Sequence, residues 1–301
     1  MAKKLSIAFA MTVFVCSSCA AASAPLTVTS PDGNLSVSLG LKVNPQPYLS
    51  GDRAYYRVLY KGTAILRDSP LGLDFLGAPP LDHSFEILGS TPSSHKDTWE
   101  NPLGTKRVVP DHYNQLSISL QERDLPHRRL DIIFRAFNAG IAFRYFLPKQ
   151  KGLEKFILSS ENTGFYFARQ AFAYASTSSR YLNAYETQFS RVNVSEIEPN
   201  AMVVLPLLVQ LSGGPWVAIL EADLRDYAGM YLGGVLGVAD SLMAKLAPLP
   251  DQFYSVKPGF CASMRRPKRM SWSRVSMKRT PQASRHSSFT CWTPPKLRSA
   301  A

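Results

Sequence analysis

Residues 23–256 contain no cysteine; the four cysteines of the chain lie at Cys16, Cys19, Cys261 and Cys291. The central segment therefore has no disulfide framework and no cysteine-based zinc or redox centre, and must be held by its core. Roughly 230 residues are enough to build one. Helical periodicity is also scarce, which argues against helix bundles and βαβ units. No internal repeat is found, which argues against solenoids. His83, His95, His112 and His127 are scattered, with no His-x₃-His or His/Cys spacing, so there is no zinc signature. Asp111-His112 offers half of a nucleophile triad, but no Gly-x-Ser-x-Gly elbow accompanies it, and His112 reads as a strand-entry residue.

Negative charge is missing from one region only. Residues 257–301 hold 11 Lys and Arg, no Asp or Glu, no isoleucine, and single valine and leucine residues at Val275 and Leu297. The chain as a whole has 34 basic and 22 acidic residues, so the tail accounts for nearly all of the net charge of +12. The body is close to neutral, which removes the usual electrostatic footprint of a nucleic-acid-binding domain. The tail's Arg265-Arg266-Pro267-Lys268-Arg269 would attract phosphate, but no aromatic spacing suits base stacking. Nucleic acid is not expected as a partner. A segment so poor in apolar residues cannot offset its ordering entropy, so 257–301 is expected to be disordered.

The N-terminus has its own pattern. Lys3 and Lys4 precede an apolar run over residues 5–15, followed by small-x-small sites at Ala20-Ala21-Ala22 and Ala22-Ser23-Ala24. This is the form of a secretory signal peptide, read as residues 1–22 and too short to span a bilayer. The expected location is the periplasm or outside the cell. Cys19 offers a lipoprotein alternative, weakened by the poor lipid-attachment box of Cys16, Ser17 and Ser18. No other membrane attachment is expected.

Most of the remaining signals are strands. Residues 114–122 alternate Leu116, Ile118 and Leu120 with polar neighbours. Residues 130–137 are apolar around Ile132, Ile133 and Phe134, and residues 140–147 put Ile141, Phe143, Tyr145 and Leu147 on one face. Asn138-Ala139-Gly140 predicts a tight hairpin through residues that tolerate positive φ. Asp32-Gly33 predicts another between 26–29 and 35–41. Shorter strands are expected at 55–60, 65–66, 71–76, 85–88, 156–158 and 165–167, with loops at 79–80 and 91–95. Residues 202–211 and 216–221 read as apolar strands joined by Ser212-Gly213-Gly214, and 223–232 as a helical turn or a strand. Residues 176–190 have no clear period, and a long irregular stretch in a β domain is often functional. The predicted architecture is all-β: one large antiparallel β-sandwich over residues 23–256.

The segments SPDGNLSVSL, DHYNQLSISLQE, DIIFRAFNAGIAFRYFLP, LNAYETQF and EADLRDYAGMYL, in this order, resemble the N-terminal domain of family 97 glycoside hydrolases over residues 26–250. The resemblance implies a supersandwich of the galactose-mutarotase type that precedes a (β/α)₈ barrel. It also implies α-glucosidase or α-galactosidase activity with bound calcium, acting on oligosaccharides or polysaccharides with α-linked glucose or galactose. The family's catalytic carboxylates sit at the barrel's C-terminal face. No βα repeat follows Pro250, so no catalytic residue is assigned, and the isolated chain is expected to be inactive and monomeric. The composition break near residue 256 suggests a frameshifted reading of the gene. Other readings are a stand-alone periplasmic carbohydrate-binding module and a basic interaction protein acting through its tail.

Glu186, in Tyr185-Glu186-Thr187-Gln188-Phe189, is the residue to which the resemblance gives a role, as a calcium ligand reaching toward the barrel. The plain alternative is a solvated surface glutamate. Calcium takes six to eight oxygens, so one carboxylate cannot hold it tightly alone. Glu221, Asp223 and Asp226 form an acidic run beside Trp216 and Tyr227, readable as a cation or acid/base site or as a charged turn. Trp99, Tyr113, Tyr181 and Tyr185 are candidates for stacking on sugar rings, with burial in the core as the ordinary alternative.

Overall fold

The computed structural model describes residues 25–103, 106–154, 156–178, 187–222, 224 and 227–248, and the backbone of 275–277. These residues form five antiparallel sheets around one continuous apolar core, together with a single 3-10 turn. The first sheet is a meander of β1 (Leu26–Thr29), β2 (Leu35–Val43), β3 (Asp52–Tyr60) and β4 (Thr63–Pro70). Its β1–β2 link is the expected turn, with Gly33 at φ +75° and the Asp32 carboxylate accepting from the Ser30 hydroxyl at 2.6 Å and from the Asn34 amide N–H at 3.1 Å. Glycine is the residue that adopts this φ without a Cβ penalty.

Two further sheets come next in the chain. A small one contains β5 (Leu73–Phe75), β6 (Ala78–Leu81), β11 (Phe156–Glu161) and β19 (Val275–Met277), in the order β19-β11-β5-β6. The larger one contains β7 (Phe85–Glu100), β8 (Val108–Glu122), β9 (Arg129–Phe137) and β10 (Gly140–Phe146), in the order β10-β9-β8-β7. On β9 the side chains of Leu130, Ile132, Phe134 and Ala136 are buried, alternating with half-exposed ones. This is the period-two burial of a strand with one face in the core. The β9–β10 hairpin forms as expected, but neither Asn138 nor Gly140 has positive φ. Instead the Asn138 side chain accepts from the Asp32 N–H at 3.0 Å, tying this turn to the first hairpin.

The other two sheets hold the C-terminal half of the core. One orders β12 (Gly164–Tyr166), β18 (Ser241–Leu246) and β17 (Met230–Gly234) as β12-β18-β17. The other orders β14 (Ser190–Asn193), β13 (Ala171–Ala175), β15 (Leu207–Leu211) and β16 (Trp216–Ile219) as β14-β13-β15-β16. Val203 makes isolated bridges to Thr177 and to Leu232 and so joins these two sheets.

Several expectations differ from this picture. The predicted loop at 91–95 lies inside β7, where exposed polar residues gain order from backbone pairing with β8 rather than from burial. The Pro79-Pro80 loop is part of the edge strand β6, where prolines are tolerated because one side of the ladder needs no N–H. Their carbonyls accept from Arg128 at 2.8 Å each. The single strand expected over 202–211 begins only at Leu207; Pro206, just before it, has no N–H to give to a ladder. Of residues 223–232, the last part is strand, in β17. Within the tail, the backbone of Val275–Met277 pairs antiparallel with Phe156–Leu158 of β11, and the rest of 257–301 lies outside the described residues.

Two charged residues lie deep in this frame. Arg128 and Glu122, at 3% and 8% exposure, form a bidentate pair with nitrogen–oxygen distances of 2.5 and 2.7 Å. The carbonyls of Pro79 and Pro80 take up two more of the five guanidinium N–H groups, so the charge is both neutralised and hydrogen-bonded.

Candidate functional site

The described ends of the irregular stretch, at 177–178 and 187–190, and the turn after β14 line a cleft of about 1110 Å³. Ser178 and Thr187, on either side of residues 179–186, line one wall, and Glu196, Glu198 and Asn200 line the opposite one. The first wall is pinned by backbone bonds from Ser178 N–H to the Met202 carbonyl at 2.9 Å and from Val204 N–H to the Ser176 carbonyl at 3.0 Å. The Ser176 and Thr187 hydroxyls close it with a hydrogen bond across the stretch. The second wall begins at a 3-10 turn, Val194–Glu196, whose cap Asn193 accepts from the Ser195 N–H at 3.0 Å.

That second wall rests directly on the backbone of β17. Gly234 donates its N–H to the Glu198 carbonyl at 3.0 Å. A Cβ on Gly234 would stand 1.7 Å from the Ile197 carbonyl oxygen, and one on Gly233 would stand 2.8 Å from the Pro199 carbonyl oxygen. Only glycine permits this approach. The pair Gly233-Gly234 thus sets where Glu196, Glu198 and Asn200 point. The stretch read from sequence as a turn or strand ends at residue 232 and leaves these two glycines without a reading, although a glycine within a strand pattern is a signal for a close backbone approach.

A second polar constellation is buried behind the small sheet. Glu161, at 4% exposure, accepts from the Thr163 hydroxyl at 2.6 Å and from the Tyr227 hydroxyl at 2.5 Å. Tyr145 bonds Thr163 at 2.8 Å and accepts from the Gly72 N–H at 3.2 Å. Burial pushes the Glu161 carboxyl above its ordinary range, against the two hydroxyl hydrogen bonds. Burial also raises Glu221 to about 7, opposed by its hydrogen bond from the Met230 N–H at 2.9 Å and reinforced by the charge of Glu161. The other oxygen of Glu221 is buried with no hydrogen-bond partner among the described residues. Glu161 lies in an ordinary alternating strand, so nothing in the sequence marked it.

Of the residues singled out from sequence, Glu186 lies outside the described residues, as do Asp223, Asp226, Tyr181 and Tyr185. The described residues flanking Glu186 line the cleft. Glu221 joins the buried network rather than an open acidic turn. Trp99 is 51% exposed near the end of β7, whereas Tyr113 is buried, packed on His95 and Phe137 under the Arg135 guanidinium. The histidines are apart: His83 contacts Asp82, His95 contacts Asp111 at 3.3 Å, and His127 contacts the Glu122 carbonyl. Among the described residues no three His, Cys, Asp or Glu side chains are grouped to hold a metal ion.

The family model for the glycosyl-hydrolase 97 N-terminal domain matches residues 28–284, past the composition break at 256. A retaining α-galactosidase from Bacteroides thetaiotaomicron is 26% identical over 259 residues, which cover 83% of this chain and 36% of that protein. A glycoside hydrolase family 97 enzyme from Pseudoalteromonas sp. strain K8, solved with acarbose, superimposes with a TM-score of 0.71 at 23% identity, over 88% of this chain and 35% of that one. A β-arabinopyranosidase superimposes with a TM-score of 0.66 at 20% identity, covering 40% of its chain. The chain thus spans about a third of the length of these relatives, and their shared fold here is the antiparallel sandwich. By a match that runs over most of its length, the chain belongs to the glycosyl-hydrolase 97 N-terminal family.

Proposed function

We propose that this chain is the accessory, carbohydrate-facing domain of an enzyme that hydrolyses α-glycosidic bonds of glucosides or galactosides. The observation that carries the reading is the match to an N-terminal domain family over residues 28–284, with the α-galactosidase relative extending well beyond the shared segment. Bond cleavage in that reading belongs to a separate barrel domain, where such folds place their carboxylates. The contribution of this chain is a rigid sandwich presenting the stretch 176–190 and the wall 196–200 toward the sugar. The cleft's hydroxyls, amides and carboxylates suit a hydroxylated ligand.

Calcium belongs to the same proposal. The described cleft residues include hydroxyl, amide and carboxylate oxygens, the kind of donor a hard cation takes, but Glu196 and Glu198 are too few to complete a shell. Glu186 would join the ion as one carboxylate ligand, the rest coming from water and the barrel. The ion would supply Lewis-acid and orienting chemistry at the reacting end. The signal-peptide pattern read in residues 1–22 supports a location in the periplasm or outside the cell.

The coding sequence beyond codon 301, read in three frames, tests the reading: a (β/α)₈-coding frame supports it and its absence counts against it. Turnover of aryl α-glucosides or α-galactosides by the 301-residue chain, abolished by a substitution within residues 25–248, would overturn it by making this domain itself catalytic.

A further inference from the structure

On β13 the inward positions are Ala171, Ala173 and Ala175, all buried, and the outward ones are the larger Phe172 and Tyr174. This reverses the ordinary partition, in which large aromatic rings fill the core. The register carries the pattern across the sheet. Tyr174 is opposite Leu208 on β15, and Gln210 of β15 is opposite Trp216 on β16. The Tyr174 and Trp216 rings stack at 5.5 Å with planes 29° apart, and Leu208 beside them is 38% exposed. Four strands spaced about 4.8 Å apart make a face roughly 14 Å across.

We propose that this outer face of the β14-β13-β15-β16 sheet is a docking platform for a neutral α-linked oligosaccharide. The inference rests on the glycoside hydrolase reading and names a contact surface outside the cleft. A pyranose ring has an apolar C–H face, which lies on an aromatic ring, and an equatorial belt of hydroxyls, which needs polar partners. The platform has both, with Tyr174, Trp216 and Phe172 as ring surfaces and Gln210 and Arg191 between and beside them. Arg191 is held over the Phe172 ring at 3.8 Å, so its charge is directed to the ring rather than to an anion. Among the strand positions of this face Arg191 is the one charged residue, which fits an uncharged ligand. A second copy of the chain is a poorer occupant, because closing this face on itself would desolvate Gln210 and Arg191 without partners. The platform is also continuous with the cleft. On β14, Ser190 and Val192 line the cleft while Arg191 and Asn193 alternate onto the outer face, so one bound glycan can pass from one to the other over the edge strand.

The test is calorimetric titration of the 301-residue chain with maltoheptaose and with an α-1,6-linked galacto-oligosaccharide. Binding of one of them is expected. Trp216→Ala and Tyr174→Ala should each weaken it about ten-fold or more. Trp216→Phe should retain most of it, and Val43→Ala, at an exposed position of β2 in a different sheet, should change it less than about two-fold. Leu208→Glu, at an exposed site where folding is not at risk, should abolish binding by placing a charge among the rings. Binding of neither sugar, or undiminished binding by Leu208→Glu and Trp216→Ala, overturns the platform. So does a concentration-dependent dimer that Leu208→Glu dissociates, because the face would then be a contact between copies. The accessory-domain reading stands or falls separately, on the coding sequence beyond codon 301 and on turnover.

Discussion

Gly234→Ala isolates the feature on which the cleft depends. The added Cβ would lie 1.7 Å from the Ile197 carbonyl oxygen and 2.8 Å from its carbon, and both are backbone atoms that no rotamer change can move. Ordinary contact begins at 3.4 Å, so the Ile197–Glu198 peptide must retreat by about that difference, roughly 1.7 Å. Retreat breaks the 3.0 Å bond from Gly234 N–H to the Glu198 carbonyl and leaves a buried donor unpaired. Overpacking of this kind costs about 1–3 kcal/mol, and an orphaned buried amide about 1–3 kcal/mol more. The sum, about 2–6 kcal/mol, corresponds to a fall in Tm of roughly 4–24 °C for a domain of this size. Gly229→Ala is the control, since a Cβ there meets nothing within 4 Å and its φ is not positive. It should leave stability within about 0.5 kcal/mol. Urea unfolding followed by circular dichroism compares the two. Equal midpoints would refute the claim that the glycine pair seats the cleft wall.

Arg128→Ala should destabilise the chain by about 3–5 kcal/mol in the same assay, because it leaves Glu122 buried without its cation, whereas the exposed pair Arg107–Glu100 should contribute less than about 1 kcal/mol. Glu221 is raised to about 7 in the folded state from 4.5, so its contribution to stability is complete below pH 4.5 and is lost as the pH rises through 7. Discounted for partial solvent screening, the loss is about 1–2 kcal/mol; Glu221→Gln should remove this pH dependence and exceed the wild type in stability at pH 8, as read from unfolding midpoints at pH 4.5, 6 and 8. Glu186→Ala should leave the stability of the 301-residue chain within about 0.5 kcal/mol, and in a barrel-bearing enzyme it should weaken calcium binding, measured by calorimetric titration.

Wherever one face of a strand was buried and the other wet, the fold was legible in the sequence. β9, β10 and the second half of β8 were read from sequence because Leu116, Ile118, Leu120, Ile132 and Phe134 alternate with the pleat. The outer part of β7 was missed for the converse reason. Residues from Gly89 to Glu100 are almost all exposed on both sides of a two-stranded ribbon, so no apolar alternation marks them, and their order comes from register with β8. The β6 prolines misled in the same way, since composition says loop while the sheet edge permits strand. At the candidate site, composition found the stretch 176–190 but not its counterpart. Glu196, Glu198 and Asn200 follow a short strand with no motif, and they matter only because Val203 and Gly234 bring that turn across from another sheet.

The same reasoning explains why the aromatic face of β13, which was given no reading from sequence, carried no signal of its own. In a sandwich, aromatic residues are assigned inward unless their neighbours take that role, and on β13 the neighbours are alanines, which give only weak apolar signal by size. Pairing resolves it. Once Ala171 is opposite Leu211 and Ala173 opposite Val209, the inward set is fixed by the larger aliphatics of β15, and Phe172 and Tyr174 must point out. Small inward residues on β13 also leave room for those aliphatics to approach, so the core is filled from β15 and β16 while β13 contributes its rings to the surface. Sequence periodicity gives the two faces of one strand but not which face is which. Cross-strand partners decide that, and at β13 they put Phe172 and Tyr174 on the outer face, with Trp216 stacked on Tyr174 and Arg191 over Phe172.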